Sequence, residues 1–113
     1  MKAYLINPSD CTVREVDYDG DWKSIAPLLD CRLFDVVRIG ADGDCLYVDD
    51  EALLAIPDEG ADFFRIDGYP QPIVGRALYL GTDGEGNSTP PRAPIADVLR
   101  ACRFEPRRRV FAA

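Results

Sequence analysis

Short apolar runs rich in β-branched and aromatic residues, each closed by turn chemistry, constrain this chain more than any other feature. Lys2 to Ile6 reads as a first strand and Cys11 to Tyr18 as a second, with Thr12, Val13 and Val16 favouring extended backbone. Asn7-Pro8-Ser9-Asp10 lies between them and predicts a hairpin. Leu33 to Ile39 and Cys45 to Val48 flank Asp42-Gly43, a good hairpin turn. Phe63 to Ile66 is a short strand, Gly68-Tyr69-Pro70-Gln71-Pro72 a rigid loop, and Ile73 to Leu80 the last long strand.

Helical spacing occurs in only a few places. Trp22, Ile25, Ala26 and Leu29 share one helix face and predict a short helix near 22–30. With Ser24 as N-cap, Pro27 falls at the third helical position, where a missing N–H costs nothing. Asp49-Asp50-Glu51 before Ala52, Leu53 and Leu54 reads as a capped helical turn. After a polar Gly/Pro loop at 81–92, Pro94 at the first helical position opens a final helix carrying Ile95, Val98, Leu99 and Cys102. Hairpin connections without βαβα alternation predict an α+β fold: one domain, a mostly antiparallel sheet of about six strands, and two or three short helices. The expected boundaries are 1–102 for the domain and 103–113 for an Arg-rich tail.

At 113 residues, 47% of them hydrophobic, the chain can bury a core without disulfides or metal. The apolar run after Met1-Lys2 is too short for an export signal or a membrane span, and Asn7-Pro8 ends it. Cysteines at 11, 31, 45 and 102 form no C-x-x-C pair, so free thiols in a reducing cytoplasm are expected, with no metal and no cofactor. The chain has no histidine, which removes the commonest general base and metal ligand. A non-enzymatic protein is the expectation.

Charge is uneven. Residues 1–102 hold nineteen acidic against nine basic side chains, whereas Arg103, Arg107, Arg108 and Arg109 face only Glu105 in the remainder. An acidic body repels nucleic acid and membrane surfaces. The arginines are read as a solvated tail, or one folded back onto an acidic face.

Several motifs resemble sites without completing them. Asp17-x-Asp19-Gly20-Asp21 starts like a calcium loop, but its glycine and twelfth residue (Leu28) are wrong for one. Asp49-Asp50-Glu51 alternate in direction on a strand and do not converge on one ion. Gly81-Thr82-Asp83-Gly84-Glu85-Gly86 carries carboxylates where a phosphate loop needs a cation. Solvated turns and helix capping account for all three. Tyr69, Gln71 and Arg76 sit on or near the Pro-stiffened loop and, with Arg65, form a candidate ligand-binding set.

Tyr4-Leu5-Ile6-Asn7-Pro8, Phe34-Asp35-Val36-Val37-Arg38-Ile39-Gly40, Leu46-Tyr47-Val48-Asp49-Asp50-Glu51 and Pro72-Ile73-Val74-Gly75-Arg76-Ala77 leading to Gly81–Gly86 carry a family pattern. The chain resembles a small uncharacterised domain family carried by phages, plasmids and bacterial mobile elements, whose members look like companions of anti-restriction proteins. The resemblance implies no catalytic residue and no cofactor. The expected function is an acidic interaction protein that modulates a host nucleic-acid-processing or defence protein. Its expected contacts are Asp17, Asp19, Asp21, Asp42, Asp44, Asp49, Asp50 and Glu51. The alternative is a nucleotide-signal binder using Arg65, Tyr69, Gln71 and Arg76.

Overall fold

Two antiparallel sheets divide the strands of this chain. The computed structural model describes residues 1–39, 42–52 and 60–108, the last three by backbone alone. The larger sheet contains β1 (Lys2–Asn7), β2 (Thr12–Asp17), β3 (Phe34–Arg38), β4 (Cys45–Asp49) and β7 (Ala77–Thr82), in the order β2-β1-β7-β4-β3. A two-residue strand, β8 (Ser88–Thr89), pairs with the end of β7. The smaller sheet is β6-β5-β9, from β5 (Ala61–Ile66), β6 (Tyr69–Val74) and β9 (Cys102–Arg108). A 3-10 turn at Trp22–Ser24 leads into α1 (Ile25–Leu29), and α2 (Ile95–Ala101) precedes β9.

The larger sheet is buried on both faces. On one face Ala3, Leu5, Leu78 and Leu80 pack against Tyr18 and against Ile25 and Leu29 of α1. On the other, Tyr4, Ile6, Leu46, Ala77 and Tyr79 meet Phe64, Ile66 and Ile73 of the smaller sheet and Val98 of α2. This double burial explains why Tyr4-Leu5-Ile6 and Ala77-Leu78-Tyr79-Leu80 are continuous apolar runs. Each fully buried leucine there contributes about 1.5–3 kcal/mol relative to exposure.

The α+β class and the antiparallel pairing agree with the sequence reading, and so do both expected hairpins. The first helix forms over Ile25–Leu29, inside the expected 22–30 and with Ser24 at its N-cap, but Trp22, expected on its packed face, is exposed in the preceding 3-10 turn. The Ser24 hydroxyl is turned away from the helix and donates to Asp19 Oδ2 at 2.6 Å. Pro94, expected as the first helical residue, is instead the N-cap of α2, with an extended ψ of 150°, and the helix starts at Ile95.

Four further expectations are corrected. The segment expected as a rigid loop at Gly68–Pro72 belongs instead, from Tyr69, to β6. Pro70 and Pro72 fit there because β6 is an edge strand that can lack donors. The expected strand Ile73–Leu80 is two strands in different sheets, separated at Gly75, whose φ of +81° turns the chain from β6 into β7. The 81–92 loop contains β8. The arginines of the expected tail fall on β9 as far as Arg108, paired with β5, because Cys102 and Phe104 alternate with Arg103 and Glu105 and face the core. Leu53 and Leu54 of the expected helical turn lie outside the described residues, as do Arg109, Val110 and Phe111.

Gly68 marks a close approach between the two sheets. It turns the β5–β6 hairpin at a φ of +95°, and a Cβ there would lie 2.9 Å from the Ile39 carbonyl oxygen at the end of β3.

Candidate functional site

The exposed face of the smaller sheet brings cations together. Phe64 and Ile66 of β5 point into the core, so Arg65 between them points to solvent. Arg103 of β9 is directly opposite Arg65. Like charges at such a position oppose folding, and each arginine has a carboxylate nearby. Arg103 Nη1 donates to Asp67 Oδ1 at 2.9 Å, and Arg65 Nε lies 3.9 Å from Glu105 Oε2. The second distance is a Coulombic contact and too long for a hydrogen bond.

An open cleft of about 390 Å³ lies beside this pair, lined by Arg65, Ile66, Asp67, Gly68, Tyr69, Pro70 and Arg103. Its lining holds two arginines and one aspartate, a local excess of one positive charge in a chain of net charge −7. Tyr69 contributes a half-buried ring packed on the main core. Tyr69 is paired with core-facing Ile66, so its ring turns toward the core and away from the two arginines, and what the exposed face offers is two planar cations that can hold an anion.

Of the expected ligand set, Arg65 and Tyr69 line this cleft. Gln71 is exposed on β6, and Arg76 is half-buried in the link to β7; neither lines it. Arg103 does so instead. The strand alternation of Cys102 to Glu105 was the sequence signal for it, hidden behind the preceding helical pattern.

The eight expected acidic contacts do not form one surface. Strand register sets Asp17, Asp19, Asp21, Asp42 and Asp44 toward one end of the larger sheet, and Asp49, Asp50 and Glu51 toward the other. Most hold their own backbone. Asp19 accepts from the Asp21 N–H and the Ser24 hydroxyl. Asp21 accepts from Lys23 N–H, Asp42 from Asp44 N–H and Asp49 from Glu51 N–H. The Ser24 hydroxyl and then the Asp21 N–H hold the Asp19 carboxyl below its usual pKa. Glu51 makes a bidentate contact with Arg32, at 2.6 and 3.1 Å, which holds its carboxyl low as well. Asp17 is exposed beside the N-terminal ammonium at 3.3 Å, and Asp50 is exposed.

Asp44 is different, and its expected surface role is corrected. Its side chain is 1% exposed and faces inward. It accepts the backbone N–H groups of Arg92 and Ala93, each at 3.0 Å, and the Tyr79 hydroxyl at 3.1 Å. The Arg92 guanidinium lies 3.9 Å away. Burial, and next the Asp44 charge, push the Tyr79 pKa upward, so that hydroxyl remains a donor. Asp44 is a clamp between the β3–β4 turn and the segment entering α2.

The glycine-rich turn after β7 is organised by Asp83, which accepts the N–H groups of Glu85 and Asn87, both at 2.9 Å. Among the described residues no cluster of cysteine and carboxylate side chains is arranged to hold a metal ion. The cysteines are free thiols, with Cys45 buried and Cys11 exposed. No helix among the described residues is long and apolar enough to cross a membrane.

Residues 1–102 match the family model described as "Domain of unknown function (DUF3846)". Among curated proteins and solved structures, nothing matches the chain.

Proposed function

The chain belongs to the DUF3846 family, and we propose that it binds a small phosphorylated ligand of the nucleotide class, without turnover, on the exposed face of its smaller sheet. The observation that supports this is the opposition of Arg65 and Arg103 across β5 and β9 at an open cleft. Guanidinium forks bind phosphate oxygens bidentately, so the phosphate is the part of the ligand this face recognises. The existing ion pairs with Asp67 and Glu105 are solvent-exposed, worth about 0–1 kcal/mol each, and exchange readily for a phosphate dianion.

Thermal denaturation against a panel of linear and cyclic nucleotides tests the reading. A ligand present at about one hundred times its Kd stabilises the native chain by roughly 2.7 kcal/mol. Arg65→Ala and Arg103→Ala should each remove about 1.5–3 kcal/mol of binding, a ten-fold loss or more. A panel that leaves the melting temperature unchanged refutes it.

A second reading is an acidic interaction protein that occupies the basic groove of a host nucleic-acid-processing or defence protein in the cytoplasm. It draws support from the one acidic end, where Asp17, Asp19, Asp21 and Asp42 stand near the β7–β8 turn with Asp83 and Glu85. On this reading the protein would act for a phage or other mobile element, alongside anti-restriction proteins. Charge reversal at Asp17, Asp19 and Asp21 should abolish retention of such a partner at low salt, while retention by the reversed protein would remove the idea.

A further inference from the structure

β2 and β3 are the two edge strands of the larger sheet, and the β3 edge is flanked by apolar surface. The bonds from Asp50 N–H to the Leu33 carbonyl and from Ile39 N–H to the Asp44 carbonyl fix the alternation along β3. Odd-numbered residues direct their backbone groups to β4. Phe34, Val36 and Arg38 direct theirs outward, and among the described residues no strand pairs with that side. The smaller sheet's edge strands carry Pro70, Pro72 and Pro106, which lack donors. β3 has no proline. Its one visible protection is Asp35, whose Oδ1 accepts the outward Val36 N–H at 2.8 Å.

The side chains beside this edge are unusual for a surface. Trp22 is 65% exposed, Leu33 50% and Val36 45%. Trp22, Lys23, Ala26, Arg32, Leu33 and Phe34 line a concavity of about 400 Å³ in which every charge is positive. Arg32 is held by Glu51, which leaves Lys23, near the Trp22 ring, and Arg38, exposed on the same face of β3 as Phe34 and Val36, to meet a ligand.

We infer that β3 is a docking edge for an extended partner segment that adds as a further strand, and whose side chains on the face shared with Phe34, Val36 and Arg38 are apolar in the middle and acidic at the ends, toward Arg38 and Lys23. Main-chain bonds to Phe34, Val36 and Arg38 supply affinity, and the cations select carboxylates. Asp35 is the gate: strand addition must displace its carboxylate from the Val36 N–H.

Trp22 is the chain's single tryptophan, so its emission reports occupancy of this concavity. The test titrates the full chain with an extended peptide whose every second residue, on one face, reads glutamate, valine, valine, glutamate, against the same peptide with lysine in place of glutamate as control. A saturable blue shift is expected with the first, and binding about ten-fold or more weaker with the second. Val36→Pro removes the outward donor at a position where an edge strand tolerates proline, and should weaken binding at least ten-fold. Asp35→Ala should tighten it. Lys23→Glu, a surface change that leaves the fold intact, should invert the preference between the two peptides. The inference is overturned if no saturable shift appears, if both peptides bind alike, or if Lys23→Glu changes nothing. It is equally overturned if sedimentation shows a dimer that Val36→Pro dissolves, because the occupant is then a second copy.

Discussion

Among the described acidic residues, Asp44 is the one whose carboxylate the fold should miss most. Asp44→Ala leaves two backbone N–H groups, from Arg92 and Ala93, and the Tyr79 hydroxyl without their acceptor in a site that is 1% exposed. Hydrogen bonds to a charged group are worth about 1.5–3 kcal/mol each, and they do not add fully within one network. Arg92 is 44% exposed, so water reaches part of the vacated site. These considerations give a loss of about 3–5 kcal/mol, the range for breaking a buried charged network, out of a total stability of about 5–15 kcal/mol. For a chain of 113 residues, unfolding entropy near 2.1 cal/mol/K per residue converts this to a fall in Tm of about 13–21 °C. Asp44→Asn keeps one acceptor oxygen but turns an NH₂ toward donors, so it should cost about 1–3 kcal/mol. Urea unfolding followed by far-ultraviolet circular dichroism, with calorimetry for Tm, measures both. An Asp44→Ala protein within about 1 kcal/mol of the parent would refute the clamp.

Acid should weaken the fold through Asp19 and Asp83, both held below the usual carboxylate pKa, by the Ser24 hydroxyl and by the Asn87 N–H respectively. As pH falls, the unfolded chain takes up protons first, so their contribution is complete near pH 6 and is lost below about pH 4; Asp19→Asn with Asp83→Asn should flatten that limb of a Tm-against-pH curve. Burial, then the Asp67 charge, push the Cys102 thiol up to about 11, so at pH 8 a thiol reagent should label exposed Cys11 first and Cys102 only slowly, and equal labelling in mass spectrometry would contradict the packing. That same raised value means Cys102 favours folding below its unfolded pKa and withdraws its support as pH rises from about 8.5 toward 11. Gly68→Ala must hold a positive φ and bring a Cβ to 2.9 Å from the Ile39 carbonyl, costing about 1–3 kcal/mol in urea unfolding; a neutral result would show that the hairpin turn is free to move.

Local patterns made most of the fold legible. Asn7-Pro8 and Asp42-Gly43 announced two hairpins that formed, and the spacing of Ile95 and Val98 announced α2. The failures share one cause: the deciding information was non-local. Ile73 to Leu80 has uniform strand character, and only the Gly75 backbone reveals a change of sheet. Pro70 and Pro72 argue for a loop until β6 is known to lie at an edge. Helical spacing through Cys102 obscured the strand alternation of β9, and with it Arg103 of the candidate site. Asp44 resembles Asp42 in the same turn, yet its backbone donors lie 48 and 49 residues further along the chain.

The middle position of β7 has a consequence for how the chain assembles. β1 and β4 never pair with each other; β7 joins them, and it follows both in sequence. During vectorial synthesis the β1–β2 and β3–β4 hairpins therefore emerge as two separate ribbons, each with an unsatisfied inner edge and exposed Leu5, Ile6 and Leu46. They are united only when Ala77–Thr82 inserts between them. Such a late, non-local insertion sets a slow folding step and an interval of aggregation risk on the nascent chain.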